Sequence, residues 1–258
     1  MSGGLNIKND VNDLDFYLNV SKGWVDGYDP WYILGERDNA GVTAAGEDVW
    51  QGTDVIIPFP SSSGETVSIV STSANDTSDG TGARQVVIHG LDVGGSEQSE
   101  TVILSGTTPV VSTLSYIFTN KFYVTTVGSN NISVGDITIY KTGVATTVYS
   151  IIKANGNAAL SCLYKVPVNK TLYILSWAVS ASNNKRVTCR VRSTDENGAL
   201  SSGVFTFKMI ASLQDSTIQV RRPVAMLVPP LSVLKVTAYP SAAAAYIASQ
   251  IDGILINN

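Results

Sequence analysis

The chain is poor in the side chains that do chemistry. Its 258 residues include one histidine, His89, and two cysteines, Cys162 and Cys189. Two cysteines cannot build a disulfide framework. Both lie in apolar, strand-like runs, so they are expected as buried, reduced thiols, with one bridge between neighbouring strands as the alternative. With no second cysteine pair and one histidine, no metal centre is expected. A Ser–His–Asp site would have to use His89, but no G-x-S-x-G elbow is present. Strand alternation instead puts His89 on a face with Val87 and Gln85. The glycines at 80–82 and 94–95 lack the Lys-Ser/Thr pair and the following helix of a phosphate loop. Asp76-Thr77-Ser78-Asp79-Gly80 lacks the ligand spacing and distal glutamate of an EF-hand. The reading is non-enzymatic: no catalytic residue, no metal ligand, no cofactor.

Charge and long apolar runs are also scarce. Charged residues are 15% and mean hydropathy is +0.14, which excludes a disordered, highly charged chain. No run approaches the roughly 18 apolar residues of a membrane helix. The N-terminus MSGGLNIKND lacks a basic region followed by an apolar core, so neither a membrane span nor a signal peptide is expected.

What is present is strand pattern punctuated by turn residues. In ETVSIVSTSANDTSDGTGARQVVIHGLDVGGSEQSETVILSGT (65–107), Val67, Ile69 and Ser71 alternate with Ser68, Val70 and Thr72. A long structured turn follows, with Asn75, Asp76, Ser78, Asp79, Gly80 and Gly82 supplying side-chain bonds and positive-φ positions. Gln85–Leu91 and Glu100–Leu104 then read as antiparallel neighbours joined through Gly94-Gly95-Ser96, a β-meander. Further strands are expected at Asp15–Val20, Ser115–Val127 and Asp136–Tyr140. Thr53–Pro60 holds two prolines and reads as an edge strand or extended connector. Toward the C-terminus, strands are expected at Thr171–Ala181, Arg186–Arg192, Val204–Ile210, Ser216–Val228, Val233–Tyr239 and Ile247–Ile256, with Ser241–Gln250 turning from loop into strand. The fold class is all-β. It comprises a flexible or partner-ordered arm and loop-rich aromatic segment (1–50), a β-domain (51–152) and a C-terminal jelly-roll-like β-sandwich (153–258).

Two features point to partners. Trp24, Tyr28, Trp31, Tyr32 and Trp50 lie among Gly, Asp and Pro with no sustained period. Rings in such a segment must lie on something, either their own domain or a neighbouring protein. Charge is also divided: residues 1–100 carry 16 acidic and 4 basic side chains, residues 101–258 carry 5 and 13. That division invites pairing within a subunit or between subunits. Arg186, Arg190 and Arg192, with Lys208, Arg221, Arg222 and Lys235, are expected to share a basic face. No exposed aromatic series accompanies them and the pI is near 5.0, so ion pairing between proteins, or plain solvation, is expected rather than nucleic-acid binding.

DFYLNVSKGWVDGYDPWYILGERDNAG, EDVWQG, IPFP, SANDTSDGTGARQVVIHGLD, LYKVPVNKTLYILSWAVS, VPPLSVLKVTA and ASQIDGILI together resemble a family of structural proteins of tailed, marine-type bacteriophage particles. GYDPWYILGER departs from that family's simpler loop. The resemblance implies a virion protein without catalytic residues, assembled in the host cytoplasm. Within that class the expectation is a capsid decoration or cement protein, a homotrimer or other closed oligomer in contact with the major capsid protein. A neck, collar or fibre-anchoring protein and a receptor- or glycan-binding fibre domain are the alternatives.

Overall fold

A computed structural model describes residues 13–194 and 204–258. After a helix, α1 (Asp13–Ser21), come β1 (Tyr28–Ala40), β2 (Glu47–Asp48), β3 (Val67–Ser71), β4 (Ala83–Leu91), β5 (Glu97–Ile103), β6 (Val110–Val111) and β7 (Phe118–Val127). They continue with β8 (Ile137–Lys141), β9 (Val144–Ile152), β10 (Leu163–Lys165), β11 (Lys170–Thr194), β12 (Phe205–Val228), β13 (Val233–Pro240) and β14 (Ala245–Asn257). The described chain is nearly all β, as expected.

Strands β3 to β9 form two small antiparallel sheets, β6-β3-β8-β9 and β5-β4-β7. Their inner faces share one core, in which Val67, Ile69, Ile137 and Ile139 of the first sheet meet Val86, Ile88 and Phe122 of the second. The arrangement is sandwich-like. The expected meander pair is present as β4–β5, with Gln85 opposite Ile103, and Asp92 Oδ1 accepting the Gly94 and Ser96 N–H groups at the turn. β9 escaped the sequence reading because its outward residues Val144 and Ala145 blur the alternation; the turn into it is made by Gly143 at φ 81°.

The SANDT stretch is held by one buried carboxylate. Asp76, with no exposed surface, accepts the N–H groups of Ala83 (2.8 Å) and Val134 (2.9 Å) at Oδ1. At Oδ2 it accepts Gly135 N–H (2.8 Å) and Ser71 Oγ–H (2.6 Å). A Cβ on Gly82 would stand 2.1 Å from Asp76 Oδ1, so only glycine lets the backbone approach. The expected local turn is thus also a long-range clamp onto the loop before β8.

The second unit is a seven-stranded antiparallel sheet built from both ends of the chain: β1-β14-β11-β13-β10, with β12 on β11 and β2 on β13. β11 and β12 are 25 and 24 residues long and bend together. Their register jumps from Ala181 opposite Ser216 to Arg186 opposite Gln214. Asn183, Asn184 and Asp215 take positive φ there, and Asp215 Oδ1 accepts the Asn184 N–H at 2.7 Å. Asparagine and aspartate tolerate that backbone better than bulkier residues. β14 lines β11 on one side of the bend and β13 lines it on the other. The two halves of the sheet enclose one core containing Trp31, Ile33, Trp177, Val179, Cys189, Val236 and Ile251.

Several expectations are corrected here. Asp15–Val20 lies in α1, not a strand; a run of six residues is too short to separate the two periods, and Phe16 packs edge-on to Tyr28 at 5.7 Å. Residues 28–40 of the expected aromatic loop form β1, paired to β14 from Tyr28–Ile256 to Ala40–Ala245. Its inward side does alternate, but it reads Trp31, Ile33, Gly35, Arg37, and a glycine and an arginine hide the apolar signal. Arg37 is neutralised within the fold by Glu47 at 2.6 Å. The boundary drawn at residue 50 therefore separates strands that one sheet joins. Thr171–Ala181 and Arg186–Arg192 are one strand, as are Val204–Ile210 and Ser216–Val228. A bulge between Ile174 and Ser176 also shifts the alternation, so Trp177 and Val179 face inward with Leu172 and Ile174. Residues 1–12 of the expected arm lie outside the described residues.

The units are joined by a third cluster in which Trp50, Ile57, Leu163 and Val233 meet Leu91, Ile117 and Phe118. Asn120 completes the joint: its Nδ2 donates to Lys165 O and its Oδ1 accepts Lys165 N–H, both at 2.9 Å.

Candidate interaction surface

The five aromatic candidates divide by burial. Trp31 is 3% exposed and lies edge-on to Tyr164 at 5.0 Å. Trp50 is 1% exposed and donates Nε1–H to Asp54 O at 2.8 Å. Both belong to the chain's own cores, a correction to their placement at a partner interface: strand alternation in β1 and the junction cluster claim them. Tyr28 is half-buried against Phe16. Trp24 is 70% exposed just beyond α1, touched by Lys22 Nζ at 4.4 Å from the ring centroid. Tyr32, 54% exposed, carries Lys121 Nζ at 5.3 Å.

Tyr32 belongs to a cleft of about 870 Å³ between β1 and the β4–β7 sheet. On the far wall His89 stacks on Tyr123 at 5.6 Å, with His89 Nε2 3.1 Å from the Tyr123 hydroxyl. Burial, then the charge of Lys121, pull the His89 pKa below its ordinary value, against an opposing pull from Glu97. Lys121 is likewise lowered by burial, again opposed by Glu97. At one end Lys170 binds Asp29 and Glu97, each at 2.9 Å. Burial works to lower the Lys170 pKa, but those two carboxylates outweigh it and raise it. The cleft pairs aromatic faces with hydrogen-bonding groups, the makings of a small polar ligand site.

The cysteines take no part. Both are free and buried, Cys162 Sγ–H donates to Ser249 O at 3.3 Å, and burial pushes both thiols up to about 12. A thiol so raised stays protonated and inert.

The basic candidates lie on β11. Arg186 is exposed, whereas Arg190 and Arg192 are half-buried on the outward face, on the turn side of the bend. The Arg190 guanidinium carbon is 4.2 Å from the Tyr239 ring centroid and 5.1 Å from that of Phe207. For Arg192 the distances are 6.0 Å to Tyr239 and 5.4 Å to Phe207. Tyr239 is itself backed by Gly46, at φ 73°, where a Cβ would stand 2.7 Å from the ring. Sequence reasoning found the arginines and missed the rings: Phe207 falls opposite Arg192 only in the register that pairs β11 with β12. Lys208 has partners of its own. Lys235 is buried with Asp48 at 3.0 Å and so does not belong to the exposed basic face, a correction to the sequence reading.

Beside this face runs β12, which among the described residues pairs with β11 alone and has no strand along its other edge. Phe207, Ile210, Val224 and Leu227 on it are 54%, 57%, 75% and 48% exposed. Arg221 and Arg222 lie on the same strand.

Fold and surface together define an all-β protein with a long open sheet edge, an arginine–aromatic face and a cleft between two sandwich-like units. Comparison with protein-family models and with curated proteins gives no match to this chain.

Proposed function

We propose that this chain is a non-enzymatic structural protein of a tailed-bacteriophage particle, a self-associating decoration or cement protein that stabilises the capsid shell through protein–protein contacts. The observation that carries the reading is the β12 edge. Soluble proteins commonly blunt exposed sheet edges by keeping them short or covering them. This edge is 24 residues long and studded with exposed apolar side chains, which suits a surface that a protein partner covers. The sequence resemblance supplies the setting, a virion assembled in the host cytoplasm. The test is the copy number per purified virion relative to the major shell protein, by quantitative mass spectrometry. On the order of hundreds of copies fits shell decoration, and on the order of ten moves the protein to a neck or collar ring. Absence from particles refutes the reading.

A second reading, a glycan-binding fibre domain, is favoured by the cleft, where Tyr32, His89 and Tyr123 offer ring faces beside Lys121. A glycan-array screen tests it: a signal that Tyr32→Ala removes supports it, and a silent array refutes it.

A further inference from the structure

Acidic and basic side chains meet repeatedly within this chain. Glu65 takes Lys141, Asp136 takes Lys153, Asp29 and Glu97 take Lys170, Asp48 takes Lys235 and Glu47 takes Arg37. These pairs use lysines and one arginine. The side chains of Arg190 and Arg192 have no hydrogen bond or ion pair among the described residues, and the Nε of each is shielded from solvent with no acceptor.

A shielded donor left unbonded is costly, and the cost is larger on a charged group. The surroundings hold the two guanidiniums in place nonetheless. Gly46 fixes Tyr239, and Tyr239 and Phe207 together hold the guanidiniums by cation–π contact. The rings supply no hydrogen-bond acceptor. The shielded Nε lies out of a partner's reach, but the Nη groups of a fork held this way are prepared for a carboxylate, which they can grip through two parallel bonds. We infer that Arg190 and Arg192 form a carboxylate-docking seat for an acidic surface of a second copy of this chain.

Charge complementarity argues for a second copy. The first 100 residues carry 16 acidic against 4 basic side chains, and Asp26, Asp38 and Asp79 are exposed without an ion pair among the described residues. The seat adjoins the open β12 edge, where Phe207 belongs to both, so one neighbour can cover the edge and supply the carboxylate. The contact joins unlike surfaces, which generates a closed ring when the rotation closes. A two-fold pairing of β12 with itself centred near Arg221 and Arg222 would instead bring those charges against their own copies, which like charge opposes.

This inference rests on the self-associating part of the proposed function and is tested apart from the particle. Sedimentation velocity of the full chain at low and high salt is compared with Arg190→Ala/Arg192→Ala and Arg190→Lys/Arg192→Lys, with circular dichroism confirming that each variant folds. The expected result is a salt-sensitive oligomer of the wild type, weakened roughly thirtyfold or more by the double alanine variant. The lysine variant keeps the charge, loses the planar fork and restores association only in part. A wild-type oligomer that the alanine variant leaves unchanged overturns the seat and leaves the decoration reading standing. A wild type that is monomeric at every salt overturns both the seat and self-association. Binding of a single-stranded oligonucleotide that the alanine variant abolishes overturns the carboxylate in favour of phosphate.

Discussion

The two units solve the same all-β problem in opposite ways. In the β3–β9 unit the strands are short and buried polar groups are answered internally; Asp76 alone satisfies three backbone N–H groups and a hydroxyl. In the long-strand unit, β11 is sheltered on both sides while, among the described residues, no strand covers the outer edge of β12 and Arg190 and Arg192 have no anionic partner. A closed unit has stability to lose from within. An open one leaves an edge and charged groups at its surface, and mutations in the two regions should therefore be read by different assays.

The sharpest break of the contrast is Asp76→Ala. It strands four donors at once, and at about 1–3 kcal/mol for each buried unsatisfied group, partly relieved by entering water, the expected loss is about 5 kcal/mol. Chemical denaturation would measure it, with the β3–β9 unit opening before the rest. Trp31→Ala comes next, with about 4 kcal/mol lost from the long-strand core. A normally stable Trp31→Ala protein would mean that the ring is not packed as described.

Acid and alkali should act on different places. His89 has a lowered pKa, so the folded state favours its neutral form; that contribution is complete above the unfolded value of 6.5 and is lost as pH falls through the folded value. Asp136, where burial is overcome by bonds from Lys153 and the Ala154 N–H, is also lowered and weakens the same unit in the same direction, starting near 3.8. Lys170 is raised, so its contribution is complete below 10.5 and is lost as pH rises through the folded value, loosening the junction with β5. Thermal melts across pH should show the acid-side decline beginning below 6.5 in wild type and flattened there in His89→Gln. The smallest effect is expected from Trp24→Ala, within about 0.5 kcal/mol of wild type, since the ring is 70% exposed. The same substitution becomes informative on particles, where a lost docking anchor would lower occupancy without lowering stability.

Much of the fold was legible. Period-2 runs located β3, β4, β5, β7, β8, β13 and β14, and Val187, Cys189 and Val191 face inward as their alternation with Arg186, Thr188, Arg190 and Arg192 required. The failures at β1 and at the bend in β11 share a cause. β1 and the bend in β11 carry residues, Gly35, Arg37, Asn183 and Asn184, whose role is set by atoms distant in the chain. A Cβ on Gly35 would meet Cys162 N at 2.5 Å, and Arg37 needs Glu47. For the candidate surface, the arginines were visible and their aromatic seating was not.

The sequence by itself determined that this protein is built of strands, because alternation and turn chemistry act within a few residues and need no partner. It also determined the unequal division of charge between the first hundred residues and the rest. Only the tertiary structure decided which rings are core and which are surface, that the first described strand lies beside the last, and that, among the described residues, Arg190 and Arg192 hold shielded Nε donors without an acceptor. Such outcomes depend on pairings distant in the chain, as far apart as Tyr28 and Ile256, and burial, unlike propensity, belongs to the pairing and not to the residue.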